Sequence, residues 1–152
     1  RGGYEGIADL TSMAHRVYDI AGWHTELYVD AKTLPDLYPT LTELPSISID
    51  HLGLCKSGQN LLLKLAENGA RVKATGFSRV DFDVKPALKA LYSANPTSLL
   101  FGTDLPSTRA PRPYSDHDLT LLIDALGPVP AKEVLSNNAL EFYKPGKLPD
   151  NR

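Results

Sequence analysis

Residues 71–75 read Arg71-Val-Lys-Ala-Thr75. Extended, this stretch sends Val72 and Ala74 to one face and Arg71, Lys73 and Thr75 to the other. A strand in a fully covered parallel sheet is nearly all apolar, because both of its faces are buried. A strand with one apolar and one polar face suits a parallel barrel instead, whose small interior turns polar toward its mouth. Two further stretches repeat the pattern. In His24-Thr-Glu-Leu-Tyr-Val29, His24, Glu26 and Tyr28 share a face; in Ser46-Ile-Ser-Ile-Asp-His51, Ser46, Ser48 and Asp50 share one face and Ile47, Ile49 and His51 the other. The fourth candidate strand is Ser98-Leu-Leu-Phe101, closing on Gly102-Thr-Asp104.

Helical spacing fills the intervals. Ile7, Leu10, Met13, Ala14, Val17, Tyr18 and Ala21 form one apolar stripe before the stop signal Gly22. Thr33 reads as the N-cap of a second helix with Pro35 in its first turn, a stripe of Leu37, Tyr38, Leu41 and Leu44, and Pro45 as its end. Ser57 reads as the cap of a third, with Leu61, Leu62, Leu65 and Ala66 inward and Gly69 at its end. A fourth runs from about Asp83 to Asn95-Pro96, and two more span about Asp116 to Leu126 and Ala131 to Tyr143. Strand and helix alternate four times after an opening helix. That order predicts an α/β fold with a parallel sheet and outer helices, either a small doubly wound sheet or half of a (β/α)8 barrel. The polar strand faces favour the half-barrel. Residues 1–143 form the expected domain, and 144–152 read as a disordered or lightly packed tail.

The composition agrees. The chain has 152 residues, 42% hydrophobic and 22% charged, with a formal net charge of −2. These values fit one globular domain and exclude a strongly basic nucleic-acid footprint or an acidic tail protein. No apolar run approaches the roughly 18 residues of a membrane span. Cys55 is the single cysteine, so neither an internal disulfide nor a cysteine-based zinc cluster can form, and a reducing, cytoplasmic setting is the default expectation. The sequence opens at Arg1 and its single methionine is Met13, which reads as part of a longer protein.

Polar groups gather at the carboxyl ends of the strands: Tyr28 and Asp30, Asp50 and His51, Thr75 to Arg79, Thr103 and Asp104. In parallel α/β folds ligands bind at that end. Asp104, at the tip of an apolar strand, can take a proton from water or hold a metal. His51 can bind metal as a neutral imidazole or polarise a carbonyl as a donor. Arg79 suits bidentate carboxylate recognition, and Tyr28 can donate a hydrogen bond to substrate or pack. His24, at the start of its strand, and Lys73, within the strand layer, read as structural. His15 and His117 read as helix-surface residues, and Arg109 and Arg112 as solvated arginines of the loop from Pro106 to Pro113. Cys55 reads as a bystander. No P-loop, dinucleotide fingerprint, Gly-x-Ser-x-Gly elbow or His-Glu-x-x-His is present, which removes the corresponding ATPase, dehydrogenase, serine hydrolase and zincin readings.

Five segments then occur in order: Gly22-Trp-His-Thr-Glu-Leu-Tyr-Val-Asp30, Ile49-Asp-His-Leu-Gly53, Val72-Lys-Ala-Thr-Gly-Phe-Ser-Arg79, Leu100-Phe-Gly-Thr-Asp-Leu-Pro106 and Asn138-Ala-Leu-Glu-Phe-Tyr143. The series resembles the C-terminal half of the amidohydrolase-related family of the metal-dependent hydrolase superfamily, and within it the 2-pyrone-4,6-dicarboxylate lactonase-like branch. The resemblance implies a distorted (β/α)8 barrel, of which this chain supplies strands five to eight. It implies a hydrolase of a lactone or ester of a small carboxylic acid, with Asp104 activating water, His51 holding the scissile carbonyl, and Tyr28 and Arg79 holding substrate carboxylates.

That branch requires no metal, and Tyr28 stands where metal-using relatives carry a histidine. Leu54 stands where the branch carries an arginine, so a substrate with one carboxylate fits as well as a dicarboxylate. The alternatives are a metal-dependent amidohydrolase or decarboxylase, with a divalent metal in the complete site, and a non-catalytic half-barrel binding module. A half-barrel exposes strand edges. The expected partners are therefore a second copy or an N-terminal half-barrel, besides the small carboxylate substrate, with no nucleic acid or membrane. The chain alone is expected to lack substantial activity.

Overall fold

The computed structural model describes residues 7–144. Helix α1 spans Ile7–Ala21; then come β1 (Thr25–Leu27), α2 (Leu34–Glu43), β2 (Ile47–Ile49), α3 (Gln59–Glu67), β3 (Arg71–Ala74), α4 (Val84–Ala94), β4 (Leu99–Phe101) and α5 (Asp116–Leu126). The last described elements are α6 (Pro128–Lys132), a π-helical turn (Glu133–Asn137) and α7 (Asn138–Tyr143). Short 3-10 turns cover Ala31–Thr33 and His51–Gly53. The expected tail from 145 onward and the stretch 1–6 lie outside the described residues.

The four strands form one sheet in the order β1-β2-β3-β4, every pair parallel. A doubly wound sheet reverses its strand order at a switch point, whereas a (β/α)8 barrel adds each strand beside the last. The unbroken order is the barrel's. The register aligns Leu27, Ile49, Val72 and Leu99 in one row. All four are buried, as are Leu62, Leu65, Leu88, Leu91 and Leu122 on the helices and Val134 in the π-turn. Full burial of each such side chain contributes about 1.5–3 kcal/mol.

The opposite face carries the charges. Lys73 Nζ lies 3.2 Å from Asp50 Oδ1 and also pairs with Glu26, so this cation meets two anions across neighbouring strands, whereas Arg71 on the same face donates to the Gly69 carbonyl. One apolar and one polar strand face, as the alternation predicts, are both present.

Some local expectations change. The strands are shorter than the alternating runs; the first keeps only Thr25–Leu27 of 24–29. Thr33 makes no side-chain cap; its hydroxyl donates to the Asp30 carbonyl, and Asp30 caps the preceding turn by accepting from the Lys32 N–H. Ser57 is likewise not the cap of α3, which starts after Gly58 at φ 88. Asp83 does cap α4, accepting from the Lys85 N–H at 3.1 Å. The last predicted helix begins earlier, at Pro128, and is interrupted by the π-turn.

Candidate active site

The carboxyl ends of β2, β3 and β4 bring His51, Thr75, Arg79 and Asp104 together. After β2 the chain leaves the extended conformation: His51 has φ 50 and Leu52 φ 52. This turn swings the imidazole off the face shared by Ile47 and Ile49 and toward β3. There Nδ1 meets Thr75 Oγ1 at 2.8 Å, and Nε2 lies 3.8 Å from Asp104 Oδ1. Asp104 also holds a positive φ, 58. Non-glycine residues in that region cost of order 1–3 kcal/mol each and cluster at functional sites. Both central side chains of the site carry this strain.

Gly76 at φ 56 makes the close approach feasible. A Cβ there would stand 2.8 Å from His51 Nδ1 and 2.9 Å from Arg79 Cδ. Arg79 then reaches across to β4: its Nε donates to Asp104 Oδ2 at 2.7 Å and its Nη2 to the Thr108 carbonyl at 3.1 Å. Asp104 is thereby held by one oxygen, while the other faces His51. The two loops are joined again by Ser78, whose hydroxyl donates to the Arg112 carbonyl at 2.9 Å. Tyr28 stands at the rim, its ring edge-on to His51 with centroids 5.6 Å apart, and is 63% exposed. Its hydroxyl makes no hydrogen bond to a described residue.

Beneath the rim, Glu26, Asp50, His51, Lys73, Thr75 and Asp104 line an open concavity of about 350 Å³ that Tyr143 borders from α7. Its electrostatics are uneven. Burial pushes the His51 pKa down against the pull of Asp104 and Asp50, so the ring is neutral at pH 7. Burial raises the Asp50 carboxyl, with Lys73 opposing. Burial also works against the Lys73 charge, but the hydrogen bond to Glu26 and the charge of Asp50 outweigh it and raise its pKa.

All four predicted site residues therefore lie at one end of the sheet, three of them within one contact network. Arg79 differs from its expected role in one respect: two of its three guanidinium nitrogens are already engaged with Asp104 and Thr108. Arg112 is exposed, as expected of a solvated arginine, but it is anchored. It grips Asp118 through Nη1 at 2.9 Å and Nη2 at 2.5 Å. His24 sits below the sheet against Phe142 and Tyr143, at centroid distances of 4.5 and 5.3 Å, in a packing role. Thr75 and Gly76 are the residues that sequence reasoning passed over individually. The signal was their place beside the Arg79 segment at the end of an alternating strand.

His51 and Asp104 are two donor groups of the kind that hold divalent cations. No third histidine, cysteine, aspartate or glutamate joins them in a metal-binding group among the described residues, and the Arg79 cation occupies one oxygen of Asp104. By themselves these residues do not fit a metal site. Nor is any helix among the described residues long and apolar enough to cross a membrane.

Comparison with known proteins agrees with the geometry. A solved structure, the apo form of Agrobacterium tumefaciens ATU3138, superimposes with a TM-score of 0.76 at 22% identity, covering 97% of this chain and 59% of that one. The chain thus spans less than two thirds of that protein's length. A search of curated proteins gave no match. The family model described as amidohydrolase matches residues 16–144, a stretch that runs from α1 to the end of α7 and takes in every side chain of the cluster. A partial (β/α)8 barrel, with its polar groups at the strand ends and a family match along most of its length, makes this chain a member of the amidohydrolase family.

Proposed function

We propose that this chain is the C-terminal part of a hydrolase that opens a lactone or ester of a small carboxylic acid by attack of an Asp104-activated water. The observation that carries the reading is the division of labour at Asp104. Oδ2 is held by Arg79 at 2.7 Å, while Oδ1 faces His51 Nε2 at 3.8 Å. That spacing is too long for a direct hydrogen bond. It leaves room for a water and a carbonyl oxygen to be served side by side.

In the proposed step Asp104 Oδ1 takes a proton as the water oxygen bonds to the acyl carbon. His51 stabilises the oxygen that becomes negative. The tetrahedral species collapses, the bond to the leaving oxygen breaks, and the proton passes from Asp104 to that oxygen. Arg79 Nη1, unused by any described residue, and the exposed Tyr28 hydroxyl anchor a substrate carboxylate. A lactonase-like specificity rests on the same residues, and a cytoplasmic setting on the single cysteine. In this reading the site works without a resident metal, and the rest of the barrel comes from an N-terminal half or from a second copy of the chain.

The test is hydrolysis of a panel of lactones and esters bearing one or two carboxylates by the full-length protein, wild type and Asp104→Asn. A fall in kcat of about 10²–10⁴-fold is expected on losing the base. Unchanged turnover in Asp104→Asn removes the mechanism. Tightly bound divalent metal with chelator-sensitive activity replaces it with metal-dependent amidohydrolase or decarboxylase chemistry. A folded protein that binds small acids without turnover replaces it with a binding module.

A further inference from the structure

Thr75 ends the run that began with Arg71 and is 8% exposed. Its hydroxyl meets His51 Nδ1 at 2.8 Å and makes no other hydrogen bond to a described residue. Such a pair can be wired in two ways. In one, the Thr75 hydroxyl donates to Nδ1 and the ring proton sits on Nε2. In the other, Nδ1–H donates to Thr75 and Nε2 carries a lone pair.

The second arrangement has two faults. It leaves the buried hydroxyl proton without an acceptor among the described residues, which native interiors avoid. It also turns the Nε2 lone pair toward Asp104 Oδ1, 3.8 Å away, where like partial charges repel. The first arrangement removes both faults at once, because Nε2–H faces the carboxylate. Burial keeps the ring neutral, with the help of Arg79 and against Asp104, Asp50 and the Thr75 main chain, so the choice of tautomer is the choice of function.

The surroundings are shaped for this pair. A Cβ on Gly102 would stand 3.0 Å from Thr75 Cγ2, and one on Gly76 would stand 2.8 Å from His51 Nδ1. Bare glycines in the turns just after β3 and just after β4 leave room for the imidazole and the threonine methyl.

We infer that Thr75 is a positioning residue that fixes His51 as the Nε2–H tautomer, making it a hydrogen-bond donor to the reacting carbonyl and not a base or a ligand through Nε2. The use made of that donor rests on the proposed hydrolase reading. The tautomer assignment does not; it rests on the Thr75 contact and the approach of Asp104 to a neutral ring.

The experiment is long-range proton–nitrogen correlation NMR on the full-length protein labelled with ¹⁵N-histidine, with His51 assigned by its loss in His51→Gln. Wild type is expected to show a protonated, pyrrole-type Nε2 and a pyridine-type Nδ1. Thr75→Val is expected to lower kcat by about 10- to 100-fold with little change in KM, the usual scale for losing a partner that orients a site histidine, and Thr75→Ser to restore it. A protonated Nδ1 in wild type overturns the inference, as does Thr75→Val with wild-type kcat. If instead Asp104→Asn keeps full turnover while Nε2 is protonated, the hydrolase reading fails and the tautomer assignment survives.

Discussion

Replacing Gly76 by alanine should damage the site and the fold by separable amounts. The backbone there has φ 56, and an L-residue in the left-handed region costs roughly 1–2 kcal/mol. The added methyl would also stand 2.8 Å from His51 Nδ1, 2.9 Å from Arg79 Cδ and 3.1 Å from Arg79 Nε. To reach ordinary contact the imidazole must retreat by about 0.6 Å, since contacts become ordinary from 3.4 Å. Overpacking of this kind adds about 1–3 kcal/mol. A misplacement of about 1 Å in a catalytic constellation costs about 100-fold, so a shift of this size should lower kcat about 10- to 100-fold.

Gly22→Ala is the reference, because Gly22 has φ 66 with nothing within 4 Å of its Cβ position and therefore carries a like backbone cost alone. Thermal unfolding should place Gly76→Ala below Gly22→Ala by about 2–4 °C for each kcal/mol of overpacking. Only Gly76→Ala should lose turnover. Equal stabilities for the two variants, together with wild-type kcat in Gly76→Ala, would refute the claim that His51 and Arg79 are seated against a bare backbone.

Three further outcomes follow from contacts away from the reacting atoms. Asp118 is buried and its pKa is lowered, chiefly by the hydrogen bond from Arg112; a depressed carboxyl stabilises the fold above its unfolded pKa and loses that contribution as pH falls through its folded one. Asp118→Asn should therefore cost about 1.5–3 kcal/mol near pH 7, and the gap to wild type in urea unfolding should close below about pH 4. Lys73→Met leaves Asp50, already raised by burial, without its cation. Because a raised carboxyl destabilises the fold as it ionises, this variant should be weaker by about 2 kcal/mol at neutral pH and should recover toward pH 5 in thermal melts. Asn138 donates from Nδ2 to the carbonyls of Pro96 at 3.0 Å and Leu99 at 2.9 Å, so Asn138→Ala should cost about 1–3 kcal/mol, measured by urea midpoint.

The parts of the fold that were legible are those set by local alternation. Val72 and Ala74 against Arg71 and Lys73 predicts a two-faced strand, and the structure has one. The strand-end rhythm likewise led to His51, Arg79, Asp104 and Tyr28. What stayed hidden depends on departures from regular geometry and on distant pairs. Alternation put His51 with Ile47 and Ile49, but its positive φ ends the strand and redirects the ring. The Arg79–Asp104 bond joins residues 25 apart, and no spacing rule announces it. Arg112 is exposed as read, but the Asp118 that anchors it belongs to the next helix and leaves no local signal. Thr33 and Ser57 have the chemistry of caps, but Asp30 and Gly58 take the turns where caps would act.

The loops after β3 and β4 are anchored to each other four times: by Arg79 on Asp104, by Arg79 on the Thr108 carbonyl, and by Ser78, which donates to the Arg112 carbonyl and accepts from the Arg112 N–H. Barrels of this type gain new substrates mainly by exchanging such loops while the strands persist. In this chain the two cannot be inherited or swapped separately without cutting every one of those ties. A directed-evolution library that recombines them should place its crossovers before residue 75 and after residue 113, treating both loops with α4 and β4 between them as a single cassette.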